Sequence, residues 1–163
     1  MKYTITPMTS ADGDAVMGIF NHYIEHSFAA YRQSRLPGEA FELFLESSRG
    51  YPTGVLRDEI GTVLGFGMLR AHKAIPEFAH TAEILYFLHQ DYLRIGLGRA
   101  LLDKLEKEGS EQGITTILAH ISSKNQASIA FHTRNGFRQC GCFQGVGKKH
   151  GQVFDVIWMQ KIL

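Results

Sequence analysis

Cysteine is scarce in this chain, with Cys140 and Cys142 as the only two among 163 residues. They lie two positions apart in a segment that alternates like a β-strand, which turns both thiols to one face, and two such neighbours make a poor disulfide. A zinc site would need further ligands at tetrahedral spacing, and we interpret the eight histidines as scattered. We therefore expect no metal and interpret both cysteines as buried, reduced structural thiols, the usual state of free cysteine.

The chain also lacks an excess of charge of either sign and any long apolar run. Seventeen basic residues oppose sixteen acidic ones, which gives a formal net charge of +1 and argues against bulk attraction to nucleic acid or an anionic membrane. No segment approaches the roughly 18 apolar residues that a membrane-spanning helix needs. The first six residues have no apolar block typical of a secretory signal. We expect a cytoplasmic protein whose anion sites are local.

No linker, repeat or low-complexity segment divides the chain, so we expect one domain over residues 1–163. Strands are predicted where apolar and polar residues alternate, and helices where apolar residues recur every three to four positions. The predicted order is a strand at 2–7, a helix to about His26, a helix from Pro37, a hairpin of 55–57 and 62–66, a loop at 71–80, a strand at 82–88, a helix ending near Gly109 or Gly113, a strand at 114–119, a helix at 125–135, and strands at 137–143 and 153–159. This order favours a mixed α/β fold with helices covering a sheet that is partly antiparallel and partly parallel.

A glycine-rich turn, Arg94-Ile95-Gly96-Leu97-Gly98-Arg99, joins the apolar strand to the next helix. Glycines there let the backbone approach a ligand closely, and the first turn of a helix offers unpaired N–H groups and a positive dipole end to phosphate oxygens. Leu101 stands where a dinucleotide fingerprint needs a third small residue, and no acidic residue follows at the spacing that the ribose requires. A P-loop is excluded because no Gly-Lys-Ser/Thr follows. The turn predicts a phosphate site without naming its ligand.

The turn and its neighbours resemble the GCN5-related N-acetyltransferase superfamily, whose pyrophosphate motif is Q/R-x-x-G-x-G/A. The match here runs from Leu93 to Gly98, with Leu93 in place of the polar first residue. Within the superfamily the chain is most similar to the group that acetylates phosphinothricin and methionine sulfone or sulfoximine, through these further segments in the family's order: Asn21-His22-Tyr23-Ile24-Glu25, Thr81-Ala82-Glu83, Asn125, Phe131-His132, Gly136-Phe137, Gly147-Lys148-Lys149-His150-Gly151 and Asp155-Val156. The resemblance implies the acyl-CoA N-acyltransferase fold, a mostly antiparallel central sheet with helices on both faces, and acetyl-CoA as the co-substrate without a metal.

Acetyl transfer to an amine that is protonated at neutral pH requires a group that collects a proton. Glu83 is the candidate, because it is the only charged residue in an apolar strand segment and matches the family's proposed catalytic glutamate. We expect partial burial to raise the pKa of Glu83 toward the working range, and an outward-facing carboxylate in water is the alternative. The resemblance assigns His132 to protonate the leaving thiolate or to hydrogen-bond its sulfur, and a structural histidine is the alternative.

The resemblance also implies the binding residues. We expect the strand end Tyr86, Phe87 and Leu88 to present backbone groups to the pantetheine arm, while their side chains could simply pack in the core. The phosphates are expected at the turn residues Arg94, Ile95, Gly96, Leu97, Gly98 and Arg99, with one of the two arginines in contact. Asn125 is expected to cap a helix and to hydrogen-bond the cofactor. Candidate partners of a substrate carboxylate are Arg32, Arg70 and Lys73, with solvated surface charge as the alternative.

Together these residues predict a single-domain N-acetyltransferase that acetylates the α-amino group of a small amino-acid-like substrate by direct attack in a ternary complex. The resemblance makes a homodimer the expected assembly, and no nucleic-acid or membrane partner is expected. Two alternatives stay open: an acetyltransferase for another amine, such as a polyamine, an aminoglycoside or a protein N-terminus, and a non-catalytic acyl-CoA sensor. The presence of both Glu83 and His132 argues against the sensor.

Overall fold

The computed structural model describes every residue from Met1 to Leu163. Its strands are β1 (Tyr3–Thr6), β2 (Thr53–Asp58), β3 (Val63–Ala71), β4 (Thr81–Leu88), β5 (Thr116–Ser122), β6 (Arg138–Lys149) and β7 (Gln152–Ile162). Its helices are α1 (Gly13–His26), α2 (Phe41–Ser47), α3 (Leu97–Glu111) and α4 (Gln126–Arg134). The strands form one sheet in the order β1-β2-β3-β4-β5-β7-β6, and only the β4–β5 pair is parallel. The expected mixed, mostly antiparallel sheet is confirmed.

Helices cover both faces of this sheet. Successive strand residues point to opposite sides, and apolar residues on both sides are buried beneath helices. On β2, Val55 packs into a core cluster with residues of α1 and α2, whereas its neighbour Leu56 packs into a second cluster with residues of α3. We call these sides the α1 face and the α3 face. Phe131 of α4 packs against the α3-face cluster. None of the helices combines the length and apolar character needed to cross a membrane.

Local sequence signals explain most element boundaries. Helix α1 ends at His26, as predicted, with the Ser27 N–H donating to the Tyr23 carbonyl. The predicted hairpin turns at 59–62, where the Asp58 carboxylate accepts from two backbone N–H groups and Gly61 has a φ of 91°. Glycine at 136 follows α4 with a φ of 90°, the left-handed conformation expected of a helix C-terminal cap.

The last two strands are longer than predicted. β6 extends to Lys149 instead of Phe143, and β7 begins at Gln152. A two-residue turn joins them, and its residues His150 and Gly151 both have positive φ, the geometry that suits the twist of a tight hairpin. β6 is an edge strand whose residues are mostly exposed, so it carries no apolar alternation that would have marked its length.

The parallel β4–β5 pair separates soon after it begins, and this separation creates the site. β4 pairs with β5 only from Thr81 to Glu83, opposite residues 116–118. Beyond Glu83, β4 continues to pair with β3 on its other side, and β5 continues to pair with β7. The facing edges of residues 84–88 and 119–122 therefore have no strand partner.

Candidate active site

A cavity of about 350 Å³ opens where β4 and β5 part. Residues 84–88 of β4 and 119–121 of β5 form its side walls, and residues of α1, of the segment after α1, of the glycine turn with the residue before it, and of α4 complete it. The wall is mostly apolar. Because the strand edges in this wall lack β partners, their backbone groups are available to an extended ligand, as a sheet edge is to a peptide.

The strand end Tyr86–Leu88 lies in the cavity wall, as predicted. Its side chains also pack in the core, since Tyr86 contacts the α3-face cluster and Phe87 the α1-face cluster. The Tyr23 hydroxyl donates to the Leu88 carbonyl at 2.6 Å and so ties α1 to the end of β4. The two interpretations of this segment, wall and core, both hold.

The glycine turn begins α3 with three free donors. Gly96 is the N-terminal cap residue and has a φ of 89°, which favours glycine. The N–H groups of Leu97, Gly98 and Arg99 make no hydrogen bond within the chain, as expected for the first turn of a helix. A Cβ added at Gly98 would meet its neighbours at ordinary contact distances of 3.5 Å, so packing does not require a glycine there.

The two arginines of the turn differ in their surroundings. Arg99 donates to Asp103 at 2.6 Å and to Asn135 at 2.8 Å. Arg94 is exposed and has no ion-pair or hydrogen-bond partner in the chain. Only Arg94 therefore has its full donor capacity available to an incoming phosphate.

Glu83 lies at the centre of a charged cluster on the α1 face. Its Oε1 is 3.2 Å from Nη2 of Arg70, the residue directly opposite on β3, and 3.5 Å from Nε2 of His120 on β5. Its Oε2 is 2.9 Å from Nδ1 of His72. The Glu83 side chain is 12% exposed, so the alternative of a carboxylate in open water is wrong.

The expected upward shift of the Glu83 pKa is also wrong. Burial alone would raise this pKa, but hydrogen bonds from His120 and His72 and the positive charge of Arg70 outweigh burial and lower it to about 2. Glu83 is therefore ionised at neutral pH. A carboxylate with so low a pKa attracts positive charge strongly but is a weak base.

His132 is buried on α4 and faces Tyr86. Its Nδ1 lies 2.7 Å from the Ser128 carbonyl oxygen, which can only accept, so Nδ1 carries the hydrogen. Its Nε2 then accepts from the Tyr86 hydroxyl at 2.6 Å. Burial lowers the pKa of His132, which favours the neutral ring. A neutral His132 offers a lone pair and no second N–H, so serving as a proton donor would require an unfavourable further protonation.

Asn125 caps α4, as predicted, because its side-chain oxygen accepts from the Ser128 N–H at 3.3 Å. It also lies in the cavity wall. The three candidate carboxylate partners do not: Arg70 is engaged by Glu83, Lys73 lies 4.9 Å from the centre of the Phe78 ring, and Arg32 is exposed without a partner.

Two residues of the cavity wall were not among the predicted site residues, namely Tyr31 and His120. The Tyr31 hydroxyl lies 3.0 Å from Nδ1 of His120. The predicted strand ended at Ala119, one residue short of His120. A polar residue that continues an alternating β-branched strand was the available signal. No local pattern marks Tyr31.

The cysteine prediction is wrong in one respect. Cys140 and Cys142 are free thiols, but both are exposed, because they lie on the edge strand β6. The histidines are also less scattered than expected, since His22 and His26 lie one turn apart on α1 with ring centres 4.7 Å apart. No three His, Cys, Asp or Glu side chains are grouped so that they could hold a metal ion.

Comparison with known proteins identifies this architecture. The model of the Acetyltransferase (GNAT) family matches residues 19–137. The L-amino acid N-acyltransferase MnaT of Escherichia coli (strain K12) is 31% identical over 152 residues, covering 92% of this chain and 88% of the relative. Phosphinothricin N-acetyltransferase of Streptomyces viridochromogenes is 32% identical over 158 residues, covering 96% and 86%.

A solved structure agrees with these relatives. The GNAT superfamily phosphinothricin acetyltransferase from Sinorhizobium meliloti, crystallised in complex with AcCoA, matches with a TM-score of 0.92 and 27% identity over 100% of this chain and 89% of that chain. The cavity between the parted strands and the free N–H groups of the glycine turn fit such a co-substrate. The chain belongs to the GNAT family and is an N-acetyltransferase that uses acetyl-CoA as its co-substrate.

Proposed function

We propose that this enzyme, acting as one domain, acetylates the α-amino group of a small amino-acid-like acceptor by direct attack in a ternary complex. The observation that carries the proposal is the position of the cavity at the gap between β4 and β5. The Glu83 cluster lies on the α1 face of this gap, and the glycine turn and His132 belong to helices on the α3 face. Acceptor and donor can therefore meet from opposite faces of the sheet.

Acetyl-CoA supplies the activated acetyl group, whose C–S bond breaks as the C–N bond of the amide forms. In this proposal the free N–H groups of Leu97, Gly98 and Arg99, with Arg94, hold the phosphates. The backbone of Tyr86–Leu88 holds the pantetheine arm, and a backbone N–H of this strand end polarises the thioester carbonyl, as in an oxyanion hole. Asn125 adds a hydrogen bond from the start of α4.

Glu83 and His132 have different roles in this proposal. The acceptor amine must lose a proton, and the negative charge of ionised Glu83 stabilises that proton once it has left the amine. His132 accepts from the Tyr86 hydroxyl and orients it in the cavity wall. A thiol has a pKa of about 8.5, so protonation of the departing sulfur adds only modestly to the rate. We therefore propose that loss of Glu83 costs more activity than loss of His132.

Recognition of the acceptor carboxylate is assigned to Arg32. It follows Tyr31, a residue of the cavity wall, in the chain, and no acidic side chain of this molecule pairs with it. Arg70 is held by Glu83, and Lys73 lies over Phe78. The relatives named for L-amino acids and for phosphinothricin support an acceptor that carries both an α-amine and an acidic group.

The test is the release of free thiol from acetyl-CoA with a panel of acceptors. The panel comprises methionine sulfone, methionine sulfoximine, phosphinothricin, ordinary amino acids and a polyamine, and each amino acid is paired with its decarboxylated amine. We expect turnover with amino-acid analogues, a higher KM for the decarboxylated partners, and a higher KM for the amino acids in an Arg32→Gln variant. Turnover of the polyamine beside failure of every amino-acid analogue would reject the proposed acceptor class.

We propose a homodimer, which the family resemblance implies, and a cytoplasmic location, which stays an expectation from the sequence. The assembly is measured by size-exclusion chromatography with light scattering on the purified chain. A mass near twice 18.3 kDa is expected, and a single-chain mass at micromolar concentration would reject the dimer.

A further inference from the structure

His120 lies between the cavity and the buried carboxylate. It follows the point at which β5 leaves β4, and its ring forms part of the cavity wall. Its Nδ1 is 3.0 Å from the Tyr31 hydroxyl, and its Nε2 is 3.5 Å from Glu83 Oε1. Tyr31 is also in the cavity wall, but Glu83 is not. The connection from the cavity to Glu83 therefore runs through His120, with the Tyr31 hydroxyl bound to the other ring nitrogen of His120.

We propose that Tyr31 and His120 form a proton relay that takes the proton from the acceptor amine and leaves it beside Glu83. The proposal rests on the proposed acetyl transfer to an amine. The ammonium group gives one proton to the Tyr31 oxygen while the Tyr31 hydroxyl proton passes to His120 Nδ1. His120 becomes an imidazolium whose Nε2–H points to ionised Glu83. The amine nitrogen then has a free lone pair for the acetyl carbon, and its second proton leaves with the thiolate as free thiol.

The groups around the relay suit this direction of transfer. Burial raises the pKa of Tyr31 to about 12, so its hydroxyl keeps a proton to donate and passes protons without staying ionised. The two ring nitrogens of His120 suit a relay, because Nδ1 can accept the proton on the side of Tyr31 while Nε2 faces Glu83. The other charged or titratable groups that face His120 are Glu83 and Arg70, and His72 contacts the far oxygen of Glu83.

The negative charge of Glu83 offsets the positive charge that His120 gains in the relay. Arg70 Nη2 lies 3.3 Å from His120 Nε2 and would repel an imidazolium. Ionised Glu83 lies within 3.5 Å of both groups and compensates for that repulsion. On the side of β7, the nearest aromatic group is the neutral indole of Trp158, with ring centres 5.0 Å apart. Glu83 therefore acts through His120, by stabilising its protonated form.

Packing holds Tyr31 in place for this role. Its ring stacks between the rings of His120 and Phe154, with distances between ring centres of 5.6 and 5.7 Å. A Cβ on Gly147 would lie 2.1 Å from the Phe154 ring, so the glycine leaves room for that ring. Lys149 donates to the backbone carbonyls of Ser27 and Ala30, at 2.6 and 2.7 Å, just before Tyr31. The segment 147–154 thus fixes the position of the hydroxyl.

The relay is tested with Tyr31→Phe, which keeps the stacked ring, and His120→Gln, which cannot become protonated. The matched controls are Tyr3→Phe and His26→Gln, both exposed and outside the cavity. Wild type and each variant are assayed with the amino-acid acceptor that wild type turns over fastest. They are also assayed with hydroxylamine, an amine that is already neutral at pH 7. Binding of acetyl-CoA is measured by calorimetry, and folding by circular dichroism.

We expect His120→Gln to lower kcat for the amino acid about 100-fold or more, and Tyr31→Phe about 10-fold or more, with unchanged affinity for acetyl-CoA. With hydroxylamine both losses should shrink to a few-fold, and raising the pH should restore the variants toward wild type. Equal losses for both acceptors, or wild-type rates and pH profile in either folded variant, would overturn the relay. If wild type acetylates no amine, the proposed function itself fails. If His120→Gln does not fold, the Tyr31→Phe result alone decides.

Discussion

Replacing Glu83 by glutamine should destabilise the fold in a manner that depends on pH. The side chain is 12% exposed and has contacts to Arg70, His72 and His120. The pKa of Glu83 is lowered from 4.5 to about 2. Because this pKa lies below its ordinary value, ionised Glu83 stabilises the fold fully above about pH 4.5. That stabilisation is lost as the pH falls through 4.5 toward 2.

The difference between these two pKa values corresponds to roughly 3 kcal/mol of stability at pH 7, falling to between about 2 and 3 kcal/mol at pH 4 and to roughly 1 kcal/mol at pH 3. Glutamine keeps an oxygen acceptor but not the charge, so Glu83→Gln should lose most of this free energy of unfolding at pH 7. The measurement is urea unfolding of both proteins at pH 7, 5, 4 and 3. The control is Glu59→Gln, whose ion pair with Lys2 is exposed and should contribute little.

Two results would contradict the stabilising role of ionised Glu83. One is equal stability of wild type and Glu83→Gln at pH 7. The other is a stability difference that stays constant from pH 7 to pH 3. Either result would mean that the positive groups around Glu83 do not stabilise its ionised form in the folded chain.

Three further predictions concern other parts of the molecule. Gly96→Ala should cost roughly 1 to 2 kcal/mol of stability, because the φ of 89° at this position is unfavourable for alanine. Calorimetry should also measure weaker binding of acetyl-CoA to this variant. The control Gly98→Ala should keep wild-type stability. Lys149→Met should cost roughly 2 to 4 kcal/mol, because it leaves the buried carbonyl of Ala30 and the partly buried carbonyl of Ser27 without a donor. It should also raise the KM for the amine, whereas the exposed Lys148→Met should do neither. Replacing both cysteines by serine should leave kcat unchanged, since they are exposed and outside the cavity, and intact-mass spectra of wild type with acetyl-CoA alone should contain no stable acetyl-enzyme.

The sequence predicted those parts of the fold whose signals are local. The helical spacing in α1 and the turn residues around Gly61 act within a few positions of themselves, so they can be recognised without tertiary contacts. The edge strand β6 could not be delimited, because its residues face solvent and carry no hydrophobic period. The exposure of Cys142 follows from the same edge position.

In the site, too, local features could be predicted from the sequence and those that depend on tertiary contacts could not. The position of Glu83 followed from its place in an apolar strand, but the direction of its pKa shift depends on Arg70 and His120, which reach it from other strands. The pairing of β4 with β3 and β5 sets those contacts. The sequence alone contains no signal for that register. The meeting of Tyr31 with His120 depends on packing from the distant β6–β7 hairpin, which only the folded chain reveals.

The most direct test of the central claim is the initial rate of acetylation as methionine sulfone and acetyl-CoA are varied together. Direct attack in a ternary complex predicts intersecting double-reciprocal lines and an N-acetylated product confirmed by mass spectrometry. Parallel lines would indicate an acetyl-enzyme. Absence of acetylation of any amino-acid analogue, beside turnover of another amine, would contradict the proposed acceptor.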